Sequence, residues 1–161
     1  MDGMTTDEKT RDKLEGRYVR IATQLEELYA KVTDPTSRMA SAAALLHGKM
    51  PHFFWTGFYR LMDGDLLVGP YQGPLACMRL ERGKGVCWAA VERGEPVLVP
   101  DVHAFPGHIA CDARSKSEVV VPLKDGRGNV VAVLDVDADR LDAFGEVDVE
   151  GLSRICASIQ A

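Results

Sequence analysis

The sequence predicts an α+β fold, with one mostly antiparallel sheet and helices packed on a face. Three observations carry that reading. Apolar residues recur at helical spacing through the first third of the chain. From His52 the pattern changes to short aromatic and β-branched runs separated by turn residues, and the last stretch returns to a helical face. At 161 residues the chain fits one domain, or one domain with a helical extension, and it is long enough to bury a core without disulfides or metal.

The elements follow in order. Thr5 and Glu8 have the form of a capping box, in which each side chain satisfies an unpaired backbone donor at a helix start. Leu14, Tyr18, Ile21, Leu25 and Leu28 then form one apolar stripe that ends near Val32, able to cover the sheet or to meet a partner subunit. Asp34 and Pro35 are an N-cap and first helical residue. Met39, Ala42, Leu45 and Leu46 give the second helix its apolar face, which stops at His47-Gly48 and Pro51. HFFWTGFYRLM and LLVGPY read as a hairpin around Asp63-Gly64-Asp65. A short strand is expected over Ala76 to Leu80, then a loop from Glu81 to Gly85, a helical piece from Val86 to Val91 closed by Gly94, and a strand at Val97-Leu98-Val99. Pro100 to Lys116 shows no periodicity and reads as a long ordered loop or one with a helical turn. Ser117–Leu123 and Asn129–Ala138 are the last strands, and Leu152, Ile155, Cys156 and Ile159 mark the face of the final helix. Cys156 therefore reads as core.

Composition is that of an ordinary globular protein, with 46% hydrophobic and 27% charged residues, and the net charge of −5 with no basic run argues against a nucleic-acid partner. The polar N-terminus lacks an apolar signal core and no stretch approaches the about 18 apolar residues of a membrane span, which places the expected location in the cytoplasm. Cys77, Cys87, Cys111 and Cys156 would be mostly reduced there, so they are not a static disulfide framework. No close cysteine or histidine pair is present, and no metal site is expected.

The most informative stretch is HIACDARSKSEVVVPL, His108 to Leu123. It sets Cys111 in a polar loop with His108, Asp112, Arg114, Ser115, Lys116 and Ser117 at the mouth of a strand. Thiolate is the reactive form of cysteine, and neighbouring cations favour it, whereas Asp112 pulls the other way. Asp135 and Asp137, at i and i+2 on a strand, share a face opposite Leu134 and Val136. Taken alone, those two aspartates read as a solvated strand end.

FFWTGFYR (53–60), GPYQGPLAC (69–77), GKGVC (83–87), DVHAFPGHIACDARSKSEVVVPL (101–123) and VLDVD (133–137) occur together in this order. In these motifs the chain resembles the free methionine-(R)-sulfoxide reductases, small enzymes built from a single GAF domain. The resemblance implies a GAF domain over residues 34–161, with residues 1–33 an N-terminal helix that is part of the domain or of a dimer interface. It implies Cys111 as nucleophile toward the sulfoxide sulfur, leaving a sulfenic acid as methionine departs. It also implies Cys77 as principal resolving thiol, with Cys87 a possible second partner or a structural residue, and a disulfide opened by thioredoxin at the expense of NADPH. No bound cofactor is implied.

The same resemblance places Glu118, Asp135 and Asp137 in the pocket. Glu118 would hold or protonate the sulfoxide oxygen, and the aspartates would bind the substrate ammonium through charge-assisted hydrogen bonds. Trp55 would pack on the methyl-sulfur end or serve the core, and Tyr71 and Gln72 are weaker pocket candidates. Backbone N–H groups of the Gly107–Ser117 loop are the expected carboxylate donors. His103 and His108 are expected to order that loop, and a catalytic role for either stays open. Trp88 stands beside Cys87 where many relatives have a small residue, which leaves the reach of Cys87 open. A homodimer is implied. The alternative is a non-catalytic GAF sensor that binds a small molecule or signals through a Cys77–Cys111 disulfide, and a small zinc protein is a third reading disfavoured by ligand spacing.

Overall fold

A computed structural model describes residues 3–108 and 111–160. Its first helix, α1 (Thr6–Tyr29), begins with the capping box: Thr5 Oγ1 accepts from Glu8 N, and Glu8 Oε2 accepts from Thr5 N. The buried stripe is Tyr18, Ile21, Ala22, Leu25 and Tyr29, while Leu28 is exposed. The stripe therefore leaves the expected line at its last turn: Tyr29, four residues after Leu25, stays in phase with the 3.6-residue turn where Leu28 does not. Helix α2 (Pro35–Lys49) starts as expected, with Asp34 Oδ2 accepting from Ser37 N.

Arg38, an unexpected buried cation, ties the C-terminal ends of two helices together. Its Nη2 donates to Tyr29 O at 2.7 Å, its Nε to Val32 O at 2.7 Å and its Nη1 to Ile159 O at 2.8 Å. Carbonyls left over at helix ends need such donors, and a cation there also opposes the negative end of the helix dipole.

The sheet has the order β3-β2-β1-β6-β5-β4 and is antiparallel at every pairing. Strands β1 (Trp55–Met62) and β2 (Asp65–Gln72) form the hairpin, turned through Asp63 and Gly64 at φ of 50° and 82°, the left-handed pair that a two-residue hairpin loop requires. Strand β3 is only Arg79–Leu80, so Ala76 and Cys77, expected inside it, lie outside the ladder. Helix α3 (Gly85–Arg93) ends at Gly94 with φ 65°, and β4 (Val97–Val99) follows. The long loop carries one 3₁₀ turn at Val102–Ala104 before β5 (Ser117–Lys124), β6 (Val130–Ala138) and α4 (Glu146–Ile159).

Strand alternation divides the core into two layers. Phe58, Val119, Val121, Leu134 and Val136 pack against α1, α2 and α4, with Cys156 among them as expected. Trp55, Tyr59, Val120 and Val133 face the other way, toward α3. The helices thus cover both faces rather than one. The α1 stripe packs within its own chain, where Tyr18 Oη donates to the buried Asp148 Oδ1 of α4 at 2.6 Å. Among the described residues no helix is long and apolar enough to cross a membrane.

Candidate active site

On the α3 side of the sheet the period of two brings polar groups into an otherwise apolar layer. Glu118 on β5 is the register partner of Asp137 on β6, and Asp135, two residues back, projects to the same face. Asp137 is also the partner of Trp55 on β1, and Asp135 that of Gly57. Glycine is needed at 57 because a Cβ there would fall 2.6 Å from the Trp55 ring and against Tyr71. Glu118, Asp135, Asp137 and Trp55 line one cavity together with Cys87, Cys111, His108, Asp112, Tyr59 and Phe54. Of the expected site residues, Cys111, Cys87, Glu118, Asp135, Asp137 and Trp55 are in its wall, and Cys77 is bonded to one that is.

Cys77 and Cys111 form a disulfide across a sequence separation of 34, with Cα atoms 5.5 Å apart. That meets the geometric condition that the segment after β2 and the loop before β5 come together. Cys111 lies exposed at the cavity mouth. Beside it, Arg114 forks Asp112, donating from Nε at 3.0 Å and from Nη2 at 2.7 Å, and its guanidinium stacks on Phe54 at 4.8 Å. This pairing holds the Asp112 carboxyl down at about 2. The two loop charges thus largely neutralise each other instead of acting separately on the thiol.

At the cavity floor, the Cys87 sulfur and carboxylate oxygens of Glu118 and Asp135 all lie within 4.8 Å of one another. Burial and the neighbouring Asp137 push the Glu118 carboxyl up to about 8. Burial, then Glu118, raises Asp135 well above the usual carboxylate range, and burial, then Asp135, does the same for Asp137. Removing a charge from water disfavours it, and carboxylates crowded together disfavour one another. Glu118 therefore holds its proton at neutral pH, and the two aspartates hold theirs more tightly than ordinary carboxyls do. Cys87 keeps its own proton as well, because burial and the adjacent carboxyls raise its pKa. A cation bound by Cys87, Glu118 and Asp135 would have to displace those protons. Asp135 Oδ1 is buried with no hydrogen-bond partner among the described residues, an acceptor open toward a donor from a ligand.

Several other expectations resolve in detail. Trp88 is not in the cavity wall: adjacent helical residues point about 100° apart, and its Nε1 donates to Leu80 O at 3.3 Å. Tyr71 stacks on Trp55 with centroids 5.2 Å apart and Gln72 is exposed, and neither lines the cavity. His103 is exposed while His108 lines the cavity, its pKa lowered by burial and then by His103. Of the loop expected to supply carboxylate donors, Ile109 and Ala110 lie outside the described residues. Tyr59 and Phe54 were not singled out in the sequence. Tyr59 could have been found from its position four residues after Trp55 on one strand, which puts it on the same face.

The chain, an antiparallel sheet covered on both sides with a cavity under one face, is matched by the family model for the GAF domain over residues 23–161. A free methionine-R-sulfoxide reductase from Escherichia coli is 38% identical over 143 residues, covering 89% of this chain and 86% of that protein. GAF domain-containing protein A of Dictyostelium discoideum is 42% identical over 142 residues, covering 88% and 89%. The structure of free methionine-R-sulfoxide reductase from Neisseria meningitidis, in complex with its substrate, superposes with a TM-score of 0.84 at 39% identity, covering 89% and 86%. The chain belongs to the GAF-domain family, within the group that includes the free methionine-R-sulfoxide reductases.

Proposed function

We propose that this chain reduces the R-epimer of free L-methionine sulfoxide to methionine. The observation that carries the proposal is the Cys77–Cys111 disulfide at the mouth of a cavity whose floor holds the proton-bearing carboxyl of Glu118. Sulfoxide reduction needs a soft nucleophile at sulfur and a proton at oxygen, and these are the two things brought together.

Cys111 attacks the sulfoxide sulfur while Glu118 protonates its oxygen. The oxygen passes to Cys111 as a sulfenic acid and methionine leaves. The Cys77 thiol then attacks the Cys111 sulfur: the S–S bond forms, the S–O bond breaks and water departs. Cys87, whose thiol stays protonated, belongs to the cavity floor and is at most a secondary partner in this scheme. Asp135 and Asp137 receive the substrate ammonium, and the open Oδ1 of Asp135 supports that role. An entering ammonium favours ionised aspartates and leaves the proton on Glu118, where the reaction uses it. Trp55 packs on the methyl-sulfur end, and loop N–H groups hold the carboxylate.

Thioredoxin, reduced by NADPH, reopens the disulfide, which the exposure of Cys111 supports, and no resident cofactor takes part. This chemistry belongs in a reducing cytoplasm, where the disulfide is a turnover state. Residues 1–33 act as the first helix of the domain, and Val19, Leu28 and Val32, which its own chain leaves exposed, are offered to a second copy in a homodimer.

The test is to incubate the chain and its Cys111→Ser variant with dithiothreitol and racemic free methionine sulfoxide, resolving both epimers by chiral chromatography. Loss of the R-epimer alone, absent in the variant, supports the proposal. Consumption of neither epimer overturns it.

A further inference from the structure

Resting on the reading above, we infer that Tyr59 is a positioning residue for the second half of the reaction, holding the Cys77 segment against Cys111 so that the sulfenic acid is resolved. The segment runs from Gly73, at the end of β2, to Met78, before β3. Residues 75–77 have no regular secondary structure, and Leu75 and Met78 are 85% and 78% exposed, so apolar burial does little to fix this stretch.

Its backbone is held instead by hydrogen bonds, one at its end from Val68 N of β2 to Met78 O at 2.9 Å and two within it from side chains of β1. Trp55 Nε1 donates to Pro74 O at 3.1 Å, and Tyr59 Oη donates to Cys77 O at 3.0 Å. Tyr59 therefore grips the peptide of the resolving cysteine itself. The two rings stack on each other, with centroids 5.7 Å apart at 24°, and both are buried. Their strand is bound to β6 through Trp55–Asp137 and Tyr59–Val133, so the same rigid strand that frames the carboxyl floor also positions the thiol.

With the Cys77–Cys111 bond open, Tyr59 is the side chain that holds the Cys77 peptide itself, between the Pro74 carbonyl taken by Trp55 and the Met78 carbonyl taken by Val68 N. Resolution requires the Cys77 sulfur to approach Cys111 with its backbone close to the 5.5 Å Cα separation of the disulfide. A looser segment leaves the sulfenic acid waiting.

The experiment treats the fully reduced native chain and Tyr59→Phe with one equivalent of the R-sulfoxide in the presence of dimedone, which captures sulfenic acids. Mass spectrometry then measures the ratio of Cys111–dimedone adduct to Cys77–Cys111 disulfide. The expected result is a ratio raised about fivefold in Tyr59→Phe, the worth of one neutral hydrogen bond. A parallel arm forms the same sulfenic acid with hydrogen peroxide, which does not need sulfoxide chemistry. The same rise in both arms supports the inference. An unchanged ratio overturns it, including the case in which Cys111 oxidation merely becomes slower, the signature of a general structural defect. Oxidation by peroxide but not by the sulfoxide in the native chain rejects the reductase reading, while the peroxide arm still decides the role of Tyr59.

Discussion

Glu118 and Asp137 stand directly opposite each other across the β5–β6 ladder, two buried-face carboxyls in one register pair with Asp135 one step along. No cation among the described residues is paired with any of the three. Raised pKa values at all three are the consequence. With Glu118 raised to about 8, its acid form predominates at neutral pH. The methionine-forming step in single turnover should fall as pH rises through about 8, because the proton donor is lost. In Glu118→Gln that descending limb should disappear, with the rate lowered about a hundredfold. Rapid-quench measurement of methionine across pH checks both.

The same carboxyl makes the protein less stable in alkali. Glu118 titrates near 4.5 when free and near 8 when folded, so over that interval the folded state holds a proton the unfolded state has released. Its stabilising contribution is full below 4.5 and is lost as pH rises toward 8. Glu118→Gln should therefore be more stable than the native chain at pH 8, on the order of 2–4 kcal/mol, and much less so at pH 5. Urea unfolding at the two pH values measures the difference.

The cysteines should separate by role. Cys77→Ser should form one methionine per chain and then stall with thioredoxin as reductant, accumulating oxidised Cys111. Cys87→Ser should keep turnover within about threefold, because a thiol held protonated is a poor nucleophile. Steady-state rates with NADPH oxidation as the readout distinguish the two variants.

Helix α1 is held to α4 by a close approach that only glycine allows. A Cβ on Gly151 would collide with the Tyr18 ring, whose hydroxyl is committed to Asp148. Gly151→Ala should cost about 1–3 kcal/mol by overpacking, read from its urea midpoint, with little change in the dimedone-to-disulfide ratio.

Much of this was legible in the sequence because local rules decided it. The capping box, the Asp34-Pro35 start, the Asp63-Gly64 turn and the period of two that puts Asp135 and Asp137 on one face depend on neighbouring residues alone. The motifs that carry the family resemblance contained Cys111, Cys77, Cys87, Glu118 and Trp55. Tertiary competition hid the rest. Cys77 reads as strand, but Tyr59 and Trp55 take carbonyls from its segment and hold it over the cavity. Arg38 carries no signal of its role in the sequence, because only the tertiary fold brings two helix C-termini onto it. The second covered face was missed because α3 is only nine residues long, too short for its periodicity to show which side of the sheet it covers.

Reduction of one substrate should make one Cys77–Cys111 bond. Fully reduced protein should be mixed with one equivalent of the free R-epimer, without external reductant, and methionine counted against the Cys77–Cys111 peptide pair by mass spectrometry. The two should appear in equal amounts, and the S-epimer should yield neither. Methionine formed while Cys77 and Cys111 remain thiols would contradict it, as would no methionine at all from the fully reduced chain.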